Sequence, residues 1–337
     1  MHEFYKLIIL SSVVILLLSL FSNSFNQREI YIAVVGYFFL LCLLKPIGIS
    51  PDDENYIEIL RSLNNDIQLD RTGIGYSRDL IWTMLVYILS MGTWDFIGIK
   101  ILAGLSFLIK AYIIKKICKF YMFGLGVYIS TFYILHETIQ YRVSFITSLL
   151  FIIIFIYKKP ISRFIVLMIG VLGHLQAAIL ILPIIINKFL PKKFFKFIII
   201  FLIIFPNIVY FFEFDKYLTN YIENTNIVEL SIYIGRHLDQ SEGKDINSFS
   251  YILLGIILLI AGKEPASEQN NILISFIISS FLCYGFLYGI PDLRWRLADY
   301  LITPISIYSG NLKNILTRIL LSLYALISIT KLYLLLL

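Results

Sequence analysis

Arg142 and His174, in the middle of the chain, are placed where a charge or a hydrogen-bonding group is costly. Arg142 opens the apolar segment QYRVSFITSLLFIIIFIYKK, and His174 lies inside the next one, FIVLMIGVLGHLQAAILILP. An arginine at the centre of a bilayer helix costs roughly 2.5–3.5 kcal/mol on insertion scales, so such residues usually face a bundle interior or a water-filled cavity. Structural explanations compete with a functional one, because Arg142 could snorkel to the lipid headgroups and His174 could be a satisfied core histidine.

Other residues with suitable side chains lie beside apolar segments, namely Asp52, Asp53, Tyr56, Tyr141, Arg294, Arg296 and Tyr300. The planar guanidinium of arginine presents a fork of donors that suits phosphate oxygens. Two or three arginines at one membrane face, beside aromatic residues, would suit the diphosphate of a lipid-linked substrate. A carboxylate or a histidine nearby could take a proton from an attacking hydroxyl. The structural alternatives are a snorkelling or loop role for the late arginines and a helix N-cap for the two aspartates.

The composition predicts a helical membrane protein. Of the 337 residues, 59% are hydrophobic and 15% are charged, which is more apolar and less charged than a soluble domain. Apolar runs of about 15–23 residues recur, so we expect an all-α, polytopic integral membrane protein with about 10–12 transmembrane segments in a single domain, residues 1–337. The net charge of +6 comes from short basic clusters between these runs, which indicates cytoplasmic loops and not a nucleic-acid interface.

Several common active-site signatures are absent from the sequence. There is no Walker loop, dinucleotide fingerprint, HExxH motif or serine nucleophile elbow. Cys42, Cys118 and Cys283 lie in or beside apolar segments and show neither metal-ligand spacing nor a disulfide pattern.

Residues 50–79 form a polar stretch after the second apolar run. Pro51 and the two aspartates after it favour a helix start, and apolar residues then recur at helical spacing (Tyr56, Ile57, Leu60 and Leu63). We expect a short amphipathic helix on the membrane surface. The next apolar run, residues 80–91, would be roughly 18 Å long as a helix, which is short for a full span. If that run crosses only halfway, the 50–79 stretch is an outer-face loop; if it crosses fully, the stretch is cytoplasmic.

Residues 164–187 are flanked by basic clusters on both sides, and the positive-inside rule places both clusters in the cytoplasm. One crossing cannot satisfy that rule. A helical hairpin or re-entrant segment can satisfy it, with Gly170, Gly173 and His174 near an apex that points outward. A single ordinary span is the alternative.

The remaining polar segments are assigned to connections. Lys110 is grouped with Lys115, Lys116 and Lys119 as a basic cluster that follows a span. The polar corner HETIQYR is expected to end the span over residues 121–135. Residues 213–248 form the longest polar loop, which is acidic and is placed outside the cell membrane. The segment PDLRWRLADY, residues 291–300, is a second outer connection.

The order of these motifs resembles a known family. The pattern D-D-x-N-Y after the second run, Y-R at Tyr141–Arg142, G-H-x-Q-A around His174 and R-x-x-D-Y ending at Tyr300 is similar to the EpsG-like branch of the Wzy polysaccharide polymerases. In that family the mid-chain pattern is commonly R-Q, followed after a basic turn by F-H-x-S-A. Here Val143 follows Arg142 and Gln176 stands in place of the serine, so the chain carries a divergent form of the pattern.

The resemblance implies an integral protein of the bacterial inner membrane that acts toward the periplasm or cell exterior, and it favours the outer-face placement of residues 50–79. Such an O-antigen, capsule or exopolysaccharide polymerase joins oligosaccharide repeat units carried on undecaprenyl diphosphate. The growing chain is moved from its lipid carrier to the next lipid-linked unit, and undecaprenyl diphosphate leaves. Expected partners are the lipid-linked oligosaccharide, membrane lipid, a flippase and a chain-length regulator. Neither nucleic acid, metal nor cofactor is expected.

The resemblance also suggests a role for each candidate residue. The diphosphate would be bound by Arg142 and Arg296, with Arg294 as a further ligand. His174 is the first choice for the general base, since histidine ordinarily titrates near neutrality, and Asp53 and Asp52 are the alternatives. The substrate-binding candidates are Tyr56, Tyr141 and Tyr300. The acidic 213–248 loop is a candidate for sugar recognition or for a lid.

Three other functions fit parts of the same pattern. Another lipid-linked glycosyltransferase or an O-antigen ligase would share the outer-face arginines, although a ligase usually carries its histidine in one very large outer loop. A flippase or transporter of the lipid-linked unit would need a continuous polar pathway, whereas the polar residues here cluster toward one face. A membrane O-acyltransferase would need a histidine paired with an acid near the first span, and His2–Glu3 is too terminal for that.

Overall fold

The structure is a computed structural model that describes residues 2–21, 27–50, 52–64, 79–92, 95–156, 159–189, 246–261, 268–286 and 291–336, with a few positions between 197 and 204. These residues form helices and the turns between them and contain no strand, in agreement with the all-α prediction. They divide into two compact units, one comprising Met1–Leu180 with Ser306–Leu337 and the other Ile181–Ile305.

The helices in chain order are α1 (His2–Phe21), α2 (Gln27–Leu44), α3 (Asp53–Asn64), α4 (Leu80–Leu89), α5 (Phe96–Ile117), α6 (Tyr121–Tyr128), α7 (Tyr141–Phe155), α8 (Pro160–Gly173), α9 (Ile181–Phe189), α10 (Ile246–Ala261), α11 (Glu268–Phe286), α12 (Pro291–Ile302), α13 (Ile305–Ser309) and α14 (Ile315–Leu336). A π-helix (Ile129–Ile139) lies between α6 and α7, and a 3-10 helix (Leu175–Leu180) lies between α8 and α9.

Three helices of the described chain are long and apolar enough to cross a membrane, namely Glu3–Leu20, Phe96–Ile117 and Ile315–Tyr333. Shorter apolar helices accompany them, among them α4, α7 and α8. The elements are those of a polytopic membrane protein. The count of about 10–12 segments stays a prediction from hydropathy.

A helix is observed where one was predicted after Pro51, as α3; its place on the outer membrane surface stays a prediction. Tyr56, Ile59 and Leu60 are buried on one side of this helix, whereas Glu54 and Glu58 are exposed. This division of apolar and charged residues is what an amphipathic pattern requires. The helix therefore presents Tyr56 to the interior of the first unit.

The grouping of Lys110 with the basic cluster after a span is wrong. Helix α5 continues to Ile117, so Lys110 lies within it and is completely buried. Its ammonium contacts the carboxylate of Glu137, at 2.5 Å between Nζ and Oε1. A buried lysine is stable only with such a partner, and the partner here comes from a segment that the sequence analysis assigned to a polar corner.

That polar corner also differs from the prediction. HETIQYR does not end the helix at residue 135, because the π-helix continues through His136, Glu137 and Thr138 to Ile139. All three of these polar residues are buried. A π-helix has more residues per turn than an α-helix, so its side chains point in different directions than an α-helix would give them, and it is often found at functional sites. In this π-helix Glu137 lies beside Lys110. The polar run is therefore paired inside the protein and does not mark the end of a helix.

The predicted break near Gly173 and His174 is confirmed. Helix α8 ends at Gly173, and His174 has an extended backbone (φ −169°, ψ 123°) before the 3-10 helix begins. The chain then folds back, since a Cβ placed on Gly170 would lie 3.3 Å from Cβ of Ala177. Whether the segment over 164–187 enters the membrane as a re-entrant hairpin stays a prediction.

The second unit contains α9 to α12 and the first residue of α13. Residues 291–300 were predicted as an outer connection, but they form helix α12. Pro291 is suited to the first position of a helix, and Leu297, Ala298 and Leu301 are buried. The hydroxyl of Ser280 in α11 donates to the carbonyl of Ala298 at 2.7 Å. The acidic loop 213–248 lies outside the described residues, apart from its last three positions at the start of α10.

Candidate functional site

The N-terminal end of α7 is the point where polar side chains of the first unit converge. Three residues of its first turn reach acidic partners. Arg142 contacts Asp79, and Ser144 donates to Glu137. Tyr141 accepts from Lys45, which is paired with Asp53. The first backbone N–H groups of a helix lack intrahelical partners and carry a partial positive charge. Carboxylates near this end are therefore favoured, and three of them lie around it: Asp53, Asp79 and Glu137.

Asp79 joins the two residues that opened the sequence argument. Its Oδ2 lies 2.8 Å from Nη1 of Arg142, and its Oδ1 lies 2.8 Å from Nδ1 of His174. The side chains of Arg142 and His174 are 22% and 19% exposed, whereas that of Asp79 is 4% exposed. One nearly buried carboxylate thus holds a guanidinium and an imidazole that both still reach solvent. We call these three residues the Asp79 trio.

Aromatic rings fix the guanidinium of Arg142 from the other side. Its central carbon lies 5.2 Å from the ring centroid of Trp82 and 5.7 Å from that of Tyr56. Both distances are within cation–π range. The backbone N–H of Arg142 also donates to the hydroxyl of Tyr56, at 3.3 Å. Trp82 and Tyr56 are both buried, so the guanidinium is held with limited freedom beside the carboxylate.

A glycine allows His174 to approach the first turns of α7. A Cβ on Gly173 would lie 2.5 Å from Cε1 of Phe145, a distance that real Cβ atoms essentially never show. The close contact between the end of α8 and α7 therefore requires glycine at this position. The backbone of His174 is held by a hydrogen bond from its N–H to the carbonyl of Gly170 at 2.8 Å. Its Nε2 lies 3.2 Å from Oε1 of Gln176.

Asp53 lies in a second, fully buried cluster. The ammonium of Lys45 donates to both of its carboxylate oxygens, at 2.6 and 2.8 Å. The backbone N–H groups of Gly48, Ile49 and Ser50 donate to Oδ2, at 2.9–3.1 Å, and the hydroxyl of Ser50 donates to Oδ1 at 2.6 Å. Every acceptor direction of this carboxylate is used.

The Lys45–Asp53 pair also supports the aromatic candidates. Lys45 donates to the hydroxyl of Tyr141 at 2.9 Å, and the rings of Tyr141 and Tyr56 pack edge to face, 5.2 Å apart. Burial lowers the pKa of Lys45, and the bonds to Asp53 oppose that effect. Burial raises the pKa of Tyr56 to about 12, with the guanidinium of Arg142 acting in the opposite direction. The hydroxyl of Tyr56 is therefore a neutral group at physiological pH.

A third cluster surrounds Glu137. Its Oε1 accepts from Lys110 at 2.5 Å, from the hydroxyl of Tyr128 at 2.7 Å and from the hydroxyl of Ser144 at 3.1 Å. Both charged side chains are completely buried. The ring of His136 stacks on Phe132. This cluster ties α5, α6 and the π-helix to the first turn of α7.

The structure brings together several of the residues predicted from sequence. Arg142 contacts Tyr56 directly and His174 through Asp79, and Asp53 is linked to Tyr141 through Lys45. Asp52, partly exposed, precedes α3, and its carbonyl accepts from the N–H of Tyr56 at 3.2 Å.

The late candidates belong to the second unit. Arg294, Arg296 and Tyr300 lie on α12. Tyr300 is buried, and the side chains of the two arginines lie outside the described residues. Their predicted role at the diphosphate stays a prediction.

Sequence reasoning missed Asp79 and Trp82. Asp79 is the last residue of the polar stretch 50–79, and Trp82 lies within the apolar run 80–91. The sequence signal for Asp79 was weak, because an aspartate at the start of a helix is ordinarily explained as an N-cap. Among the described residues, no group of three or more histidines, cysteines or carboxylates could hold a metal ion.

Comparisons with known proteins agree with the motif order. The model of the EpsG family matches residues 29–337, which is nearly the whole chain. Searches of curated proteins and of solved structures returned no significant match. The matched range includes every residue of the Asp79 trio and of the two buried clusters.

Proposed function

The chain belongs to the EpsG family, the family of Wzy-like polysaccharide polymerases, and we propose that it polymerises undecaprenyl-diphosphate-linked oligosaccharide repeat units by glycosyl transfer at the outer leaflet. The observation that carries this proposal is the Asp79 trio. A phosphate-binding guanidinium and a candidate general base are held by the same carboxylate, and both remain partly exposed. A reaction that needs a diphosphate leaving group and a deprotonated hydroxyl requires this combination.

Arg142 is suited to the leaving group. Its guanidinium offers paired N–H donors to phosphate oxygens, and only Nη1 is engaged by Asp79 in the described contacts. Trp82 and Tyr56 hold its plane, so the positive charge is in place before the glycosidic bond breaks. Preorganised charge of this kind stabilises the developing charge without reorganisation during the reaction. Arg296, with Arg294, is proposed as the second arginine ligand of the diphosphate.

His174 is better suited than Asp53 to act as the general base. The imidazole is partly exposed, and its Nε2 contacts the side-chain amide of Gln176 at 3.2 Å, a contact that a substrate hydroxyl could replace. The carboxylate of Asp53 is completely buried and accepts from Lys45, Ser50 and three backbone N–H groups. We propose that Asp53 stabilises the fold of the site. Tyr56 and Tyr141 would then shape the site from its interior side.

The proposal includes a location and partners. The protein would lie in the bacterial inner membrane with the Asp79 trio toward the periplasm or cell exterior. It would receive its lipid-linked substrate from a flippase, and a chain-length regulator would act on the product. The apolar helices described above are consistent with a membrane location.

The test is the polysaccharide banding pattern of cells that carry Arg142→Ala, Arg142→Lys or His174→Ala, with membrane levels of the protein matched by immunoblot. We expect each alanine variant to reduce the ladder to a single lipid-linked repeat unit. Arg142→Lys should also fail, because lysine keeps the charge but loses the planar fork. An intact ladder from both alanine variants would refute the proposal. Loss of all surface repeat units would point to transport or to an earlier step.

A further inference from the structure

We propose that Asp79 is a positioning residue that couples the general base to the diphosphate ligand, through the two oxygens of its carboxylate. This inference rests on the proposed function, because it assigns Asp79 a role in the same glycosyl transfer. Oδ1 holds Nδ1 of His174 and Oδ2 holds Nη1 of Arg142, each at 2.8 Å.

The local structure shows that this carboxylate is not used for helix capping. Asp79 is the N-cap residue of α4, yet its side chain makes no capping hydrogen bond. An aspartate at this position ordinarily accepts from the N–H groups of the first turn. Asp79 gives up that stabilisation and directs a nearly buried carboxylate at two cationic or titratable side chains. Its position is therefore explained by Arg142 and His174.

The contact at Nδ1 selects the form of the imidazole that can act as a base. A carboxylate accepts only, so Nδ1 must carry a hydrogen and donate it to Oδ1. In neutral His174 the lone pair is then on Nε2, which is the nitrogen that a substrate hydroxyl could reach. The hydrogen bond to one ring nitrogen sets the role of the other.

Gln176 matches both charge states of His174. Its amide lies 3.2 Å from Nε2, and a primary amide has a donor end and an acceptor end. Through its NH₂ group it can donate to Nε2 of the neutral ring, and through Oε1 it can accept from the imidazolium. Before the reaction, the acceptor hydroxyl can replace the Gln176 side chain at Nε2 of His174. After the proton has moved to Nε2, the Gln176 side chain can contact the imidazolium again.

The coupled step balances in atoms and charge. The acceptor hydroxyl gives its proton to Nε2 of His174 while its oxygen forms a bond to the anomeric carbon of the donor. The bond from that carbon to the diphosphate oxygen breaks, and its electron pair leaves with undecaprenyl diphosphate. The formal charge of the Asp79 trio changes from zero to plus one in this step. The added positive charge arises beside the group that gains negative charge, which is the condition for stabilising the transition state.

Other ionisable groups lie on the helices packed around this arrangement. Helices α4, α7 and α8 pack together here, and α5 packs against both α4 and α7. Besides Arg142 on α7, α8 carries Arg163 about three turns before His174. Helix α5 carries Lys100, Lys110, which is paired with Glu137, and Lys115 and Lys116 in its last turn. The tyrosines on α4, α7 and α8 are Tyr87 and Tyr141, and the hydroxyl of Tyr141 accepts from Lys45. Among the described contacts, the charged group that touches the His174 ring is the carboxylate of Asp79.

The experiment compares purified Asp79→Asn and Asp79→Glu with the unchanged protein in membrane vesicles. The probe is the lipid-linked repeat unit that accumulates in cells from which the gene has been deleted. Asp95→Asn is the matched control, because Asp95 is the N-cap of the next helix, also lacks a side-chain capping bond, and is exposed. The readouts are kcat, KM and the pH dependence of polymer formation per folded protein.

We expect Asp79→Asn to lower kcat roughly 10²-fold or more, as loss of effective general base catalysis does. The acid limb of its pH profile should move to lower pH, since the imidazolium loses its carboxylate partner. Asp79→Glu should retain part of the rate, and Asp95→Asn should behave as the unchanged protein. If Asp79→Asn does not accumulate, the same readouts are compared between Asp79→Glu and His174→Ala.

Two results would overturn the inference and leave the proposed function standing. The first is a normal rate in Asp79→Asn while Arg142→Ala and His174→Ala are inactive. The second is a lower rate in Asp79→Asn with an unmoved acid limb and no rescue by Asp79→Glu, which would indicate a structural role only. Normal rates in all three variants would overturn the inference and the proposed function together.

Discussion

The acid–base clusters around the start of α7 differ in how completely they are buried. Two pairs, Lys45 with Asp53 and Lys110 with Glu137, have side chains that are completely buried. The Asp79 trio is nearly buried at its carboxylate and open at its two other members. The clusters therefore share a chemistry of paired charges and differ in access to a substrate.

This difference separates positioning from reaction. A buried pair is costly to form and still more costly to break, because removal of one member leaves an unpaired charge in an apolar interior. Such pairs can fix the relative positions of helices but have no contact with a ligand. The open trio has two partly exposed members, which keep donors for a substrate. Variants of each cluster should show this division.

The largest effect on stability is expected for Lys110→Met. This change leaves the carboxylate of Glu137 buried among apolar helices without its cation, at a cost of about 3–5 kcal/mol. The amount of folded protein extracted in mild detergent should fall sharply, and its apparent Tm with it. Fluorescence-detected size-exclusion chromatography after heating measures both quantities.

The double variant Lys110→Met with Glu137→Leu is the control for this prediction. Replacement of a whole buried ion pair by apolar side chains is often neutral or stabilising, so folded protein should return. A double variant that folds well and yet makes no polymer would contradict a purely structural role for the pair. It would place Glu137 in the reaction instead.

A smaller loss is expected for Asp53→Asn, which keeps an oxygen for the backbone donors but removes the charge opposite Lys45. Hydrogen bonds to charged groups are worth about 1.5–3 kcal/mol, and we expect a loss of that size. Burial already lowers the pKa of Lys45, and the change removes the group that opposed this. The ammonium then deprotonates more readily in the folded state than in the unfolded state, so the deficit should narrow as the pH rises above neutrality.

Activity per folded protein decides what Asp53 does. We expect Asp53→Asn to form polymer at close to the normal rate once the amount of folded protein is matched. A loss of more than about 10²-fold at matched protein, which is the scale of general base catalysis, would contradict the structural assignment. It would restore Asp53 as a base.

Sequence patterns were sufficient for several of the apolar helices, for α3 and for two residues of the candidate site. Hydropathy and spacing predicted the apolar helices and the amphipathic α3, and the cost of polar groups in apolar segments singled out Arg142 and His174. The basic clusters on both sides of residues 164–187 predicted a turn near Gly170, Gly173 and His174, and the structure ends α8 there. These features depend on neighbours in the sequence.

The residues that the sequence did not predict make contacts between segments that are far apart in the chain. Asp79 lies 63 positions before Arg142 and 95 before His174, and no periodicity links them. Lys110 appeared to belong to a basic cluster because Lys115, Lys116 and Lys119 follow it, and its partner Glu137 lay in a run of polar residues. A lysine inside an apolar segment and a glutamate at the end of another are compatible with pairing, but only the π-helix shows that they meet.

The smallest effect is expected for Tyr56→Phe, which tests whether the aromatic support of Arg142 acts through its ring or its hydroxyl. The change keeps the ring over the guanidinium and removes only the acceptor of the Arg142 N–H, a bond of 3.3 Å. A net loss of about 0.5–1.5 kcal/mol in stability is expected for one such bond, with polymer formation per folded protein changed by no more than a few-fold. Thermal unfolding in detergent and the polymer ladder at matched protein measure the two effects. Unchanged stability with a lost ladder would mean that the hydroxyl of Tyr56 contacts the substrate. Tyr56 would then belong with Arg142 and His174 and not with the residues that only support them.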